Sequence, residues 1–112
     1  MTRFLLVCLG GALGSGARYL VGLATPHGTL IVNLSGSFCI ALAMALMRPS
    51  DARLLIVTGV LGGFTTYSAF NEETLQMLRA GTWGAAMMYV ALTVLGCLAA
   101  GLAAVMVARA VR

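Results

Sequence analysis

Four apolar stretches, each long enough to cross a bilayer as a helix, account for nearly all of this 112-residue chain. A helix needs about 20 residues to span the roughly 30 Å of hydrocarbon in a membrane. Charged residues make up 9% of the sequence, whereas about a quarter is usual in a soluble domain. Because so few charges cannot cover the surface of a soluble domain, the sequence predicts an all-α integral membrane protein with a single domain, residues 1–112.

Turn-forming and charged residues separate the four segments. The first runs from about Arg3 to Leu23, the second from about Gly28 to Met47, the third from near Arg53 to Arg79, and the fourth from about Thr82 to Arg109. The connections are only a few residues long, so neighbouring helices are predicted to be antiparallel. Arg3 and the apolar run after it resemble a signal peptide. Since that run resumes beyond Arg18, we predict a retained first helix.

The charges and the metal-binding residue types exclude several functions. The seven arginines form no basic face with exposed aromatics, which argues against nucleic-acid binding. Five of them fall on the side that holds both termini, which favours cytoplasmic termini by the positive-inside rule. The three cysteines have no metal-ligand spacing and the histidine is single. No nucleophile–base pair is evident, so an enzyme is not expected.

Small residues four positions apart predict close helix packing. Gly10 and Gly14 have this spacing in the first segment, as do Gly59 and Gly63 in the third. In lipid, such residues let helix backbones approach each other. Packing within one subunit accounts for most of these glycines. Four helices are too few to surround a polar pathway, however, so a homo-oligomer is predicted.

Polar side chains form stripes on two of the apolar segments. Thr29 and Asn33 share a helical face in the second segment, and Tyr89, Thr93 and Cys97 share one in the fourth. Polar groups inside a membrane are costly and mark functional positions. These stripes offer hydrogen-bond donors and no acid, which favours an anion. The alternative is that the threonines bond to their own helix.

The stretch GGFTTYSAFNEE, residues 62–73, interrupts the third segment. Adjacent glycines and two β-branched threonines disfavour a helix, so the sequence predicts unwinding near the middle of the segment. Freed carbonyl oxygens there suit a cation such as sodium. Tyr67 and Phe70 share a face just beyond the break, where positive ring edges suit an anion. Ordinary core packing is the alternative for this pair.

These motifs resemble the Fluc (CrcB-type) fluoride channels of bacteria. The matching stretches are GGALGSGARY (10–19), GTLIVN (28–33) and GGFTTYSAFNEE (62–73), and the resemblance covers essentially the whole chain. It implies passive fluoride export across the inner membrane by an antiparallel, dual-topology homodimer. The resemblance further implies that each subunit has four transmembrane helices with the third broken in mid-membrane, and that the dimer has two fluoride pathways around a central sodium ion (Na+).

The resemblance also assigns roles to individual positions. Backbone carbonyls of Gly62 and Thr65 hold the sodium, and Arg18 and Glu73 lie in the vestibules. The fluoride pathway comprises Thr29, Asn33, Tyr67, Phe70, Tyr89, Thr93 and Cys97. This chain differs from the family pattern at Tyr67, where phenylalanine is usual, and at Cys97, which replaces a serine. Glu72 is an additional acid.

Two other functions are compatible with four short membrane helices. A small multidrug exporter needs an acid within its first helix to exchange protons for cationic drugs, and the first segment has no acid. A purely structural membrane protein leaves the polar stripes and the glycine–threonine stretch unexplained. The fluoride channel accounts for both features.

Overall fold

The computed structural model describes residues 1–112, which form helices and no strand. The helices are α1 (Thr2–Ala24), α2 (Gly28–Leu46), α3 (51–64), α4 (Tyr67–Arg79) and α5 (Trp83–Val111). Four stretches are long and apolar enough to cross a membrane, namely α1, α2, α3 together with α4, and α5. The prediction of an all-α chain with four such segments is confirmed.

Local capping fixes the ends of the third segment. The Ser50 hydroxyl accepts a hydrogen bond from the Arg53 backbone N–H at 3.1 Å and caps the start of α3. At the end of α4, the N–H groups of Gly81 and Thr82 bond to carbonyls of the last turn, with Gly81 at a φ of 77°. Only a residue that tolerates positive φ closes a helix in this way. The turn at Gly81 therefore brings α5 back beside α4.

The helix of the third segment ends at Phe64 and resumes at Tyr67. Between them Thr65 (φ −80°, ψ 156°) and Thr66 (φ −152°, ψ 118°) are extended. The sequence predicts unwinding across the whole GGFTT stretch, whereas Gly62 and Gly63 are helical. Before them, residues Leu54–Leu61 form the wider turns of a π-helix, a form that often accompanies functional sites.

Two parallel helix pairs make up the fold, α1 with α3 and α2 with α5. The first pair meets through glycines. A Cβ atom added to Gly10 would lie 2.8 Å from the Gly59 Cα, and one added to Gly63 would lie 2.6 Å from the Gly11 carbonyl oxygen. The predicted close packing through small residues is thus confirmed within this chain, and it explains why a glycine stands at position 63 of a helical turn.

Gly14→Ala is expected to destabilise the protein by about 1–3 kcal/mol, the usual cost of overpacking a core. The added Cβ would lie 2.8 Å from the Phe64 backbone nitrogen, and backbone atoms cannot move aside as a side chain can. Unfolding in a titration with sodium dodecyl sulfate measures the change. Gly16→Ala is the matched control because its Cβ meets no atom within 4 Å. Equal unfolding midpoints for the two variants would contradict this packing.

The exterior is apolar and few side chains are buried. Large aliphatic side chains such as Leu9, Leu13 and Leu98 are more than half exposed, as expected where lipid replaces water as the solvent. Among polar residues only Asn33 (8% exposed) and Thr93 (6% exposed) are buried. These two side chains lie at the same cavity.

Candidate functional site

A cavity of about 240 Å³ lies where α2, α4 and α5 meet, and we call it the small cavity. Seven residues line it: Asn33, Ser37, Tyr67, Phe70, Thr93, Val94 and Cys97. Five of these are pathway residues predicted from the sequence, and they come from three separate helices. The fold therefore brings together the two polar stripes and the aromatic pair that follows the extended threonines.

Asn33 binds the extended backbone between α3 and α4. Its side-chain oxygen accepts from the Thr66 N–H at 2.8 Å, and its side-chain nitrogen donates to the Thr66 carbonyl at 2.9 Å. In a continuous helix that N–H would bond to the Gly62 carbonyl instead. Asn33 thus stabilises the interruption and releases the Gly62 carbonyl. Its amide nitrogen has a second N–H, which remains for the small cavity.

The aromatic residues of the small cavity meet edge to face. The rings of Tyr67 and Phe70 have centroids 5.5 Å apart and an interplanar angle of 72°. Phe70 also contacts Tyr89, with centroids 5.3 Å apart and an angle of 53°. Phe70 is 5% exposed but Tyr67 is 77% exposed. Most of the tyrosine side chain is therefore at the surface, although it also lines the small cavity.

Thr93 has a buried hydroxyl with no hydrogen-bond partner in the protein. Leaving such a group unsatisfied costs about 1–3 kcal/mol, and threonine in a helix readily bonds to the preceding turn. Here the predicted alternative of a bond to its own helix is wrong. The hydroxyl lines the small cavity together with Cys97 one turn later, so it is available to a ligand in that cavity.

Thr93→Val is expected to lower anion conduction about tenfold without loss of stability. Valine has almost the same shape as threonine but cannot donate a hydrogen bond, and it removes an unsatisfied buried hydroxyl. Fluoride efflux from liposomes and unfolding in detergent measure the two effects. Unchanged efflux would show that the Thr93 hydroxyl has no ligand, and a marked loss of stability would show that it has a partner within the protein.

Thr29, Glu73 and Tyr89 form a second polar cluster. The Thr29 hydroxyl donates to one carboxylate oxygen of Glu73 at 2.5 Å, and the Tyr89 hydroxyl donates to the other. Glu73 and Tyr89 line a larger cavity of about 970 Å³ near Pro26 and Thr82, which we call the large cavity. Because the Tyr89 ring also contacts Phe70, Tyr89 lies between the two cavities.

Glu72 does not add its charge to that cluster. Its carboxylate pairs with Arg79 at 3.1 Å on an exposed face of α4. It also accepts a hydrogen bond from Gln76 at 3.4 Å. An exposed pair of this kind contributes little to stability, but it compensates the additional acid, so Glu73 is the single carboxylate lining the large cavity.

The two predicted metal ligands lie at the junction of α3 and α4. Gly62 is exposed and its carbonyl lacks the Thr66 bond of a continuous helix. The Thr65 carbonyl accepts a hydrogen bond from the Arg18 guanidinium at 3.0 Å. Arg18, predicted for a vestibule, is therefore beside the predicted metal site. No cluster of three or more His, Cys, Asp or Glu side chains that could hold a metal ion is present.

Comparison with known proteins identifies the family. The family model described as "CrcB-like protein, Camphor Resistance (CrcB)" matches residues 5–105. The chain belongs to this family. A fluoride-specific ion channel FluC of Anaeromyxobacter dehalogenans is 52% identical, with 97% of each chain covered. One from Bordetella petrii is 47% identical over 87% of this chain and 84% of the relative. One from Thermus thermophilus is 46% identical over 80% and 81%.

The CrcB family relatives bear on two sequence-based expectations. All three are named as ion channels, so the expectation that this chain is not an enzyme is confirmed. Four segments able to span a membrane make it a multi-pass membrane protein.

Sequence analysis missed Ser37 as a residue lining the small cavity, although its position four residues after Asn33 extends the stripe on α2. That spacing was the available signal.

Proposed function

We propose that this protein is a passive, fluoride-selective channel that exports fluoride across the bacterial inner membrane. The small cavity is the observation that carries the proposal, because Thr93, whose buried hydroxyl has no partner, lines it alongside the aromatic residues Tyr67 and Phe70. Relatives named as fluoride-specific channels support the choice of ion. Hydrogen fluoride enters cells as a neutral acid and dissociates, after which a channel lets the membrane potential drive the anion out.

Fluoride is small and strongly hydrated, so a pathway must replace its water with several donors at once. In the small cavity Thr93 and the free N–H of Asn33 supply donors, and Tyr67 and Phe70 supply ring edges. Cys97 adds a weaker donor. Thr29 and Tyr89 direct their protons to Glu73, and they shape the approach from the large cavity. The anion thus passes from a polar entrance to the small cavity, which no charged side chain lines.

The exposed polar surface at the α3–α4 junction supports a homodimer. Gly62 is exposed, as are Tyr67 and Ser68 at the start of α4. Non-helical backbone and polar side chains at membrane depth need cover from protein or water. On this proposal the third helix is interrupted in mid-membrane. A second copy in the opposite orientation supplies the cover that this interruption needs. Two symmetric pathways follow from such an antiparallel, dual-topology dimer.

A central sodium ion would be held by the Gly62 and Thr65 carbonyls of both subunits. The C-terminal end of α3 carries partial negative charge, as any helix C-terminus does. The positively charged guanidinium of Arg18 already donates a hydrogen bond to the Thr65 carbonyl. When bound, sodium would lower the electrostatic cost of an anion nearby. Arg18 would then share or leave the Thr65 carbonyl, and it keeps that oxygen bonded when no metal is bound.

Ion efflux from proteoliposomes tests the channel against its alternatives. We expect rapid fluoride efflux, little chloride efflux, and no proton-driven uptake of a lipophilic cation such as tetraphenylphosphonium. Proton-coupled uptake would favour the multidrug exporter, although the described α1 contains no acid. Absence of all three activities would favour a structural membrane protein and would refute the proposed function.

A further inference from the structure

Several hydroxyl groups in the membrane-spanning segments bond to the backbone of their own segment. Ser35, Thr65 and Thr74 each donate to the carbonyl four residues earlier, at 2.6, 3.1 and 2.8 Å. This is the usual way for a helical hydroxyl to avoid an unmet hydrogen bond in lipid. Ser37 and Thr93 make no such bond, and both line the small cavity. The hydroxyls that remain free on α2 and α5 thus converge on one site.

We infer that Ser37 is a further anion-binding residue of the small cavity, donating from α2 as Thr93 donates from α5. This inference rests on the proposed function. Ser37 follows Asn33 by one helical turn, as Cys97 follows Thr93, so each wall presents a pair of polar groups at matching spacing. Without Ser37, the α2 wall contributes only the second N–H of Asn33, because its other amide groups bind Thr66.

A structural role for Ser37 predicts different behaviour. Ser37 is partly buried, and its backbone carbonyl oxygen would lie 4.0 Å from a Cβ added to Gly101 on α5, so Ser37 also lies at the contact between α2 and α5. If small size were the only requirement, alanine would serve as well as serine. If the hydroxyl binds the anion, alanine removes a donor that nothing replaces. The two roles therefore differ in what Ser37→Ala does to conduction.

Fluoride efflux from proteoliposomes is to be compared for the wild type, Ser37→Ala and Ser37→Cys. We expect Ser37→Ala to lower efflux about tenfold, equivalent to about 1.4 kcal/mol, and Ser37→Cys to lie between, since a thiol is a weak donor of similar size. Ser35→Ala is the matched control, because that hydroxyl bonds to Ile31 of its own helix, and its efflux is expected to equal the wild type's. Gel filtration of each variant verifies equal assembly.

The outcomes separate this inference from the function on which it rests. If the wild type conducts fluoride and Ser37→Ala conducts it at the same rate, the role of Ser37 is overturned and the proposed channel function stands. Loss of efflux in Ser35→Ala as well would attribute the effect to helix packing and would also overturn it. A wild-type protein without fluoride efflux would refute both.

Discussion

Replacing Asn33 with aspartate is expected to lower fluoride efflux from proteoliposomes by about 100-fold or more. The side-chain nitrogen of Asn33 donates to the Thr66 carbonyl at 2.9 Å. In Asn33→Asp a carboxylate oxygen takes that place, so two acceptors face each other and a buried acceptor loses its partner, at a cost of about 1–3 kcal/mol. A negative charge beside the small cavity also repels the anion directly. The rate falls tenfold for each 1.36 kcal/mol.

Asn71→Asp is the matched control for this variant. It makes the same amide-to-acid change at an exposed side chain of α4 that lines neither the small nor the large cavity. We expect its efflux to stay within about threefold of the wild-type rate, since the surrounding salt screens exposed charges. Wild-type efflux in Asn33→Asp, with assembly verified by gel filtration, would remove Asn33 from the pathway.

Replacement of sodium by a larger cation is expected to have the second-largest effect. If the Gly62 and Thr65 carbonyls bind sodium, N-methyl-D-glucamine cannot enter the site between them. We expect fluoride efflux to fall about tenfold or more. We also expect the melting temperature of the assembled protein to rise with sodium concentration, because a ligand that binds only the native state stabilises it by mass action.

The melting temperature separates metal binding from conduction. Salt solutions of equal ionic strength, with sodium or N-methyl-D-glucamine as the only cation, exclude screening as the cause. An Arg18→Gln variant tests the neighbouring cation, since Arg18 donates to the Thr65 carbonyl at 3.0 Å, and it is expected to shift the sodium dependence. Equal efflux and equal melting temperature in both salts would contradict a sodium site at these carbonyls.

The features that follow from local sequence were predictable. Four apolar segments and the short turns between them appear as expected, because length and hydropathy alone determine which residues enter lipid. The glycine spacing of α1 and α3 predicts a close contact, and Gly10 meets Gly59 there. The helical spacing of Tyr67 and Phe70 likewise places their rings in contact.

Features that depend on contacts between distant segments were not predictable. Nothing in the local sequence shows that Asn33 binds Thr66, 33 residues away, or that Arg18 binds Thr65, 47 residues away. The extended backbone is shorter than the glycines suggest because Gly63 packs against Gly11 and stays helical. Ser37 lies one turn after Asn33, but serine is common in membrane helices, and only the three-dimensional structure distinguishes Ser37, which lines the small cavity, from Ser35, which bonds to Ile31.

The reversal potential of the current across a planar bilayer tests selective, passive fluoride conduction most directly. With a tenfold fluoride gradient and equal chloride on both sides, the account predicts a current that reverses within a few millivolts of the fluoride equilibrium potential, about 59 mV. Changing the pH on one side should leave this value unchanged. A reversal near zero, a potential that follows the proton gradient, or no fluoride current at all would contradict it.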